Sequence, residues 1–232
     1  MVNIEFNGKT NEDFGLFISD IELRKKAKPR TETITVEGRN GTLVDYLGSY
    51  EPYTRKVELV NRRDSDISRV YEWLTGKGIL RTSLDEGGFF YVDVLEGIER
   101  DYLGKSYHAK IHHTVPVTFL VQPFFYLDAG TRPLEITATK KLFNIGTYEA
   151  EPIITVYGTG TGTVYINDQV VTLFNLVAPL TIDCKLQEVF ENNLPAGRKM
   201  QGDFPVLEMD SNTISFTGGI SKLAITPRWC EL

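Results

Sequence analysis

Residues Glu151–Asp168 read EPIITVYGTGTGTVYIND, with glycines at alternate positions, Gly158, Gly160 and Gly162. Two readings compete for this stretch. A glycine-rich loop that cradles phosphate runs into a helix, whose first backbone NH groups point at the anion. A glycine corner between strands uses positive φ to redirect the chain and runs into another strand. Gly162 is followed by Thr163, Val164, Tyr165 and Ile166, two β-branched residues, an aromatic and a third β-branched residue. No Gly-Lys-Ser/Thr follows, and no βαβ unit with a closing acid surrounds it. The stretch is read as a connector between two strands, and a nucleotide enzyme loses its one motif.

Outward from that corner the pattern is overwhelmingly β. IEFNG opens with alternating Ile4 and Phe6 and ends in Asn7-Gly8, a hairpin turn signal. ETITVEGRNGTL alternates through Ile34 and Val36 and breaks at Asn40-Gly41. RKVELV (55–60), FFYVDVLE (89–96), HAKIHHTVPVTFLV (108–121) and LEITATKKLFN (134–144) are further strands, β-branched and aromatic as a half-buried pleated surface requires. Later come EPIITVYG, TVYIND, QVVTLF, PLTIDC, FPVLEM, NTISFTG and KLAITPRW, short strands at the close spacing of a sandwich or jelly roll. Asn167-Asp168 turns the chain between two of them.

One segment has helical period. Ile67, Val70, Tyr71 and Leu74 fall at i, i+3, i+4 and i+7, predicting a helix near 65–75 of about ten residues. Asp64, Ser65 or Asp66 can cap its start, and Gly76 can end it in a left-handed conformation. VQPFFYLDAGTRP (121–133) interrupts the strand rhythm with Pro123, Gly130 and Pro133. A boundary there divides residues 1–130 from residues 131–232, joined by a linker or a shared strand.

Composition narrows the function. With 41% apolar and 24% charged residues the chain can bury a core, and no run reaches the roughly 18 apolar residues of a membrane helix. The start, MVNIEFNGKTNEDFG, lacks the basic and apolar regions of a secretory signal, so a protein made in the cytoplasm is expected. A net charge of −6 argues against a dedicated nucleic-acid binder, since such affinity comes from cations neutralising phosphates. The basic run ELRKKAKPR (Glu22–Arg30) is the exception, read as a solvated strand end or loop. Cys184 and Cys230 form no CxxC and no disulfide framework.

No residue set carries chemistry. In HAKIHH, His108 and His112 would share a strand face about 13 Å apart, too far for one metal, and His113 points the other way. Asp64 with Asp66 are explained as helix caps, and Glu149 with Glu151 as a solvated corner. No GxSxG or HExxH occurs. No catalytic, cofactor-binding or metal residue is nominated, and the chain is read as no enzyme. Most aromatics alternate along strands, as core residues do. Tyr46, Tyr50 and Tyr53 lie in a less regular segment, where they could serve a protein interface or stack on sugars.

Taken in order, FNGKTNEDFGLFISDIE, ITVEGRNGTLVDYLGSYEPYTRKVELV, WLTGKGILRTS, VTFLVQPFFYL, NIGTYEAEPIITVYGTGTGTVYINDQVVTL, LTIDC and GDFPVLEMDSNTISFTGGISKLAITPRW span nearly the whole chain. This series resembles the distal tail protein (Dit) family of siphophages and related prophages, especially those of Gram-positive hosts. The resemblance implies an N-terminal β-sandwich with one helix and a hairpin (1–130), which assembles into a hexameric ring. It implies a C-terminal galectin-like β-sandwich (131–232) pointing outward. Such a ring is a virion component, the baseplate hub joining the tail tube protein to the tail-associated tip protein and to receptor-binding proteins, with DNA passing through its lumen. The family often has Pro-Gly before the Asn of its last hairpin, whereas Asp210-Ser211 precede Asn212 here; Asp, Ser and Asn also build turns. The alternative function is a non-catalytic carbohydrate-binding β-sandwich.

Overall fold

A computed structural model describes residues 2–61, 67–95, 101–103 and 112–232. The chain forms two compact units, residues 1–125 and residues 126–231, and is mainly β.

The first unit contains β1 (Ile4–Phe6), β2 (Lys9–Thr10), β3 (Leu16–Ile21), β4 (Pro29–Ile34), β5 (Leu43–Tyr50), β6 (Tyr53–Asn61), α1 (Ile67–Trp73), β7 (Lys77–Thr82), β8 (Asp85–Val94), β9 (Asp101–Leu103) and most of β10 (His112–Leu127). Its main sheet runs β2-β1-β7-β8-β10-β6-β3, with β9 paired to β10. Asn7 and Gly8 take φ of 51° and 79°, the double positive-φ turn their sequence signalled between β1 and β2. β6 alternates faces, so Arg55, Val57, Leu59 and Asn61 point inward while Thr54 and Lys56 face solvent.

The helix is shorter than expected, seven residues, and its proposed caps Asp64, Ser65 and Asp66 lie outside the described residues. Its buried stripe is Val70, Trp73 and Leu74; Ile67 and Tyr71 are half-buried. Trp73 was no part of the predicted periodicity, yet it anchors the helix. Its Nε1 donates to the Phe6 carbonyl at 2.9 Å, and its ring stacks on Phe14 at 4.6 Å. Buried indole NH groups need such an acceptor.

Arg55 is fully buried in this unit. Its Nη1 donates to Asp85 Oδ2 at 2.6 Å, its Nε donates to the Glu22 carbonyl at 2.8 Å, and its guanidinium lies 5.7 Å from the Phe90 ring centre. The Thr82 hydroxyl donates to the same Asp85 oxygen at 2.7 Å. Removing one partner of such a pair leaves an uncompensated buried charge.

The second unit contains β11 (Leu134–Ile136), β12 (Lys140–Asn144), β13 (Ile153–Ile166), β14 (Gln169–Leu176), β15 (Leu180–Asp183), β16 (Glu188–Glu191), β17 (Leu194–Pro195), β18 (Met200–Gln201) and β19 (Asp210–Thr226). Here the glycine reading needs correction. Gly158–Gly162 is no connector: β13 runs through it without ending, so EPIITVYG and TVYIND are one strand. NTISFTG and KLAITPRW likewise merge into β19 across Gly218-Gly219. The two long strands pair antiparallel along most of their length, and the register slips where the glycines meet.

That slip makes a sandwich out of two strands. One half of β13 pairs with β15 and the other with β14; β19 pairs with β11 at one end and β12 at the other. Side chains from both halves, Ile154, Val156, Leu180 and Leu223 with Val164, Ile166, Leu173 and Ile214, belong to one buried cluster. A bulged, bent strand pair therefore folds one sheet over a shared core. FPVLEM, expected as a strand, is irregular and contributes one bridge, Leu207 to Ala150.

Asp210, the first residue of β19, takes φ 67°. The buried Asn212 amide then ties back to Glu208, accepting from its NH at 2.8 Å and donating to its carbonyl at 2.9 Å. Across the unit, Arg228 grips Asp183 through two bonds of 2.6 and 2.8 Å. Burial pushes the Asp183 pKa up, but the Arg228 guanidinium and the backbone NH groups of Leu186 and Lys185 outweigh it and hold it below the usual carboxylate value.

Two stability predictions follow from these pairs. Asp85→Ala, which strands the Arg55 charge in the core, costs about 3–5 kcal/mol in urea unfolding. For Asp183 the folded pKa is depressed, so its contribution is full above the ordinary carboxylate pKa and is lost as pH falls through the folded value. Unfolding free energies of Asp183→Asn should therefore decline less than those of the parent protein between about pH 5 and pH 2.

Candidate assembly surface

β4 and β5 form a two-stranded sheet of their own, joined by residues 35–42. Every residue from 28 to 49 is exposed. Ile34 and Val36, whose alternation predicted a half-buried strand, are 44% and 42% exposed, and β4 ends at Ile34. Apolar side chains stand in solvent throughout this arm: Val44 is 51% exposed, Leu47 55% and Tyr46 68%. A lone hairpin is at best marginally stable in water, so an arm of this composition calls for a partner surface.

Register and alternation sort its side chains. Thr31 pairs with Tyr46 and Thr33 with Val44, giving one face of threonines, an aliphatic and an aromatic. Glu32 pairs with Asp45 and Ile34 with Leu43, giving a second face with two carboxylates opposed. The strands are offset near Gly48, whose φ of 67° suits glycine and lets β5 bulge before Tyr50 meets Pro29.

The tyrosine triplet is not one exposed patch in an irregular segment. Tyr46 and Tyr50 lie in the regular strand β5, and Tyr46 alone is open. Tyr50 packs edge-on against Phe124 at 5.9 Å, and the Tyr53 hydroxyl is buried.

Residues 22–28 of the basic run are non-strand, and its last two, Pro29 and Arg30, begin β4. Ala27 is 2% exposed and anchors the run, while Lys26 and Lys28 on either side are exposed. Lys25 is engaged with Glu22 at 2.9 Å, and the Arg24 guanidinium lies 4.7 Å from the Phe125 ring centre.

The remaining candidates do not converge. His108 lies outside the described residues, whereas His112 and His113 begin β10, paired with Leu103 and Tyr102. Glu149 and Glu151 are exposed on either side of the buried Ala150. Burial pushes the thiols of Cys184 and Cys230 up to about 12, leaving both protonated and poorly nucleophilic. In the second unit a half-open recess of about 370 Å³, at the lower end of the ligand-pocket range, is lined by Val189, Phe190, Pro195, Met200 and Phe204 among others. Among the described residues no helix is long and apolar enough to cross a membrane.

Together the units define a mainly β fold of curled antiparallel sheets, one bearing an uncovered hairpin arm. No family model matches the chain, and no curated protein sequence matches it either. Its fold is that of a solved phage protein. The crystal structure of the Dit protein of phage SPP1, presented as a paradigm of the hub adsorption apparatus in phages infecting Gram-positive hosts, superposes with a TM-score of 0.73. The match covers 100% of this chain and 98% of that one at 13% sequence identity. The fold is thus shared with a distal tail protein, as the order of motifs along the sequence implied.

Because Tyr46 and Leu47 are 68% and 55% exposed, Tyr46→Ser combined with Leu47→Ser should shift the unfolding free energy of the monomer by no more than about 0.5 kcal/mol in a urea titration.

Proposed function

We propose that this protein is a structural hub of a phage tail tip. Copies of the chain close into a hexameric ring that joins the tail tube protein to the tail-associated tip protein and carries receptor-binding proteins in the virion. In this reading residues 1–130 carry the ring contacts, and residues 131–232 form a galectin-like sandwich directed outward. The protein works by contact and catalyses nothing. DNA passes through the lumen without specific binding, which suits a chain of net charge −6, because an acidic wall repels phosphate.

One observation carries this proposal, the full-length likeness to the SPP1 hub protein in both units. A common sandwich alone would match one unit and leave the other unaligned. The exposed arm is its physical counterpart. Ring closure by copies of one chain needs a protruding surface that finds a different surface on its neighbour, since head-to-tail contacts generate rings. Light scattering on the purified protein should report about six copies of the 26.2 kDa chain. A strict monomer at high concentration would remove the reading.

A further inference from the structure

β6 brings two unmet hydrogen-bond donors to one face. Tyr53 and Arg55 are alternate residues of that strand and lie on its inward side, with Thr54 between them exposed. Of the five N–H groups of a guanidinium, Arg55 commits Nε to the Glu22 carbonyl and Nη1 to Asp85. Its Nη2 is buried without a hydrogen-bond partner, and the Tyr53 hydroxyl is buried in the same condition. An unmet buried donor is costly, more so on a charged group, so two on neighbouring side chains call for an acceptor.

The surroundings supply donors and positive charge. Residues 22–25 are laid along this part of β6: the Glu22 NH donates to the Lys56 carbonyl at 3.0 Å, and Lys25 Nζ donates to the Thr54 carbonyl at 3.2 Å. They bring a second guanidinium to the Phe90 ring, whose centre is 5.9 Å from Arg24 and 5.7 Å from Arg55. They also turn the Lys25 NH toward the phenol oxygen, where it is one more donor. Burial pushes the Tyr53 pKa above its ordinary value, so the phenol keeps its hydrogen. Arg55 and Arg24 each bear on that phenol more strongly than the Asp85 carboxylate does, which makes the field there positive. Asp85 is already engaged, one of its oxygens accepting from both Arg55 and Thr82. The Glu22 carboxylate is held by Lys25 at 2.9 Å and by the Lys56 NH at 3.0 Å.

We propose that the Tyr53 hydroxyl and Arg55 Nη2 hold a small monovalent anion of the halide class, enclosed between β6 and residues 22–25. A halide accepts from both donors at once and, unlike a water, brings no hydrogen that needs an acceptor of its own. Both atoms are closed to solvent, which favours a monatomic ligand over a carboxylate or a phosphate. Bound there, the ion ties residues 22–25 to the core of the first unit. The site belongs to the single chain and does not rest on the hub reading.

Tyr53→Phe removes one donor and leaves the buried arginine in place. Melting temperatures are compared at equal ionic strength in sodium gluconate, whose anion is too large to be enclosed, and in rising sodium bromide. The parent protein should gain stability along a saturating curve, as a ligand of the folded state alone requires. In the variant the bromide dissociation constant drawn from that curve should rise about 10-fold or more. In gluconate alone the variant should match or exceed the parent, because it has lost an unmet buried hydroxyl. Crystals of the parent protein grown in bromide should show an anomalous scattering peak within hydrogen-bonding reach of both atoms. A water there in place of bromide, or bromide curves that coincide for parent and variant, overturns the site.

Discussion

The second unit depends on a place where two backbones touch. Between Gly158 and Gly162 three residues of β13 face only Gly219 of β19, and the ladder resumes in a shifted register on either side. A Cβ at Gly219 would strike the Thr159 carbonyl, one at Gly158 the Gly219 carbonyl, and one at Gly218 the Thr161 carbonyl. Side chains there would hold the strands apart and keep them straight. Without them both strands bend together, and what begins as one sheet closes over Leu173, Val164 and Ile214 on one side and Ile154, Leu180 and Leu223 on the other. The extra twist of bulged strands is the source of that curl.

The first unit is organised by a different constraint. Its interior contains a full positive charge, Arg55, which Asp85, the Glu22 carbonyl and the face of Phe90 surround. Such a pair is no strong source of stability, because desolvation offsets most of its attraction. It fixes geometry instead: β6, the start of β8 and the end of β3 must meet in one arrangement for the guanidinium to be matched. The same unit that pairs a buried arginine through Nε and Nη1, with Nη2 buried and without a hydrogen-bond partner, leaves a hairpin exposed. The contrast is physically consistent with a rigid body that carries an arm intended for another surface.

Charge follows the same division. The net −6 of the chain conceals a cationic segment anchored by Ala27 and an acidic arm directly after it.

Particular residues show how far the sequence reached. Local chemistry was legible: the Asn7-Gly8 and Asn167-Asp168 turns, the period-two strands and the Val70/Leu74 helix stripe are each set by neighbours a few residues away. The order of segments was enough to point to the distal tail fold, which a full-length superposition then met at 13% identity. Long-range facts were not legible. Glycines at alternate positions signal a departure from regular strand, but a turn and a bulge look alike until the partner strand is known, and β19 lies some fifty residues on. Trp73, three residues after Val70, falls on the helical stripe by spacing alone; what the spacing could not show is its acceptor, the Phe6 carbonyl, distant in sequence. The alternation of Ile34 with Val36 reported only that a face needs covering. Which surface covers it is a property of three-dimensional placement, and within this chain the placement leaves that face open.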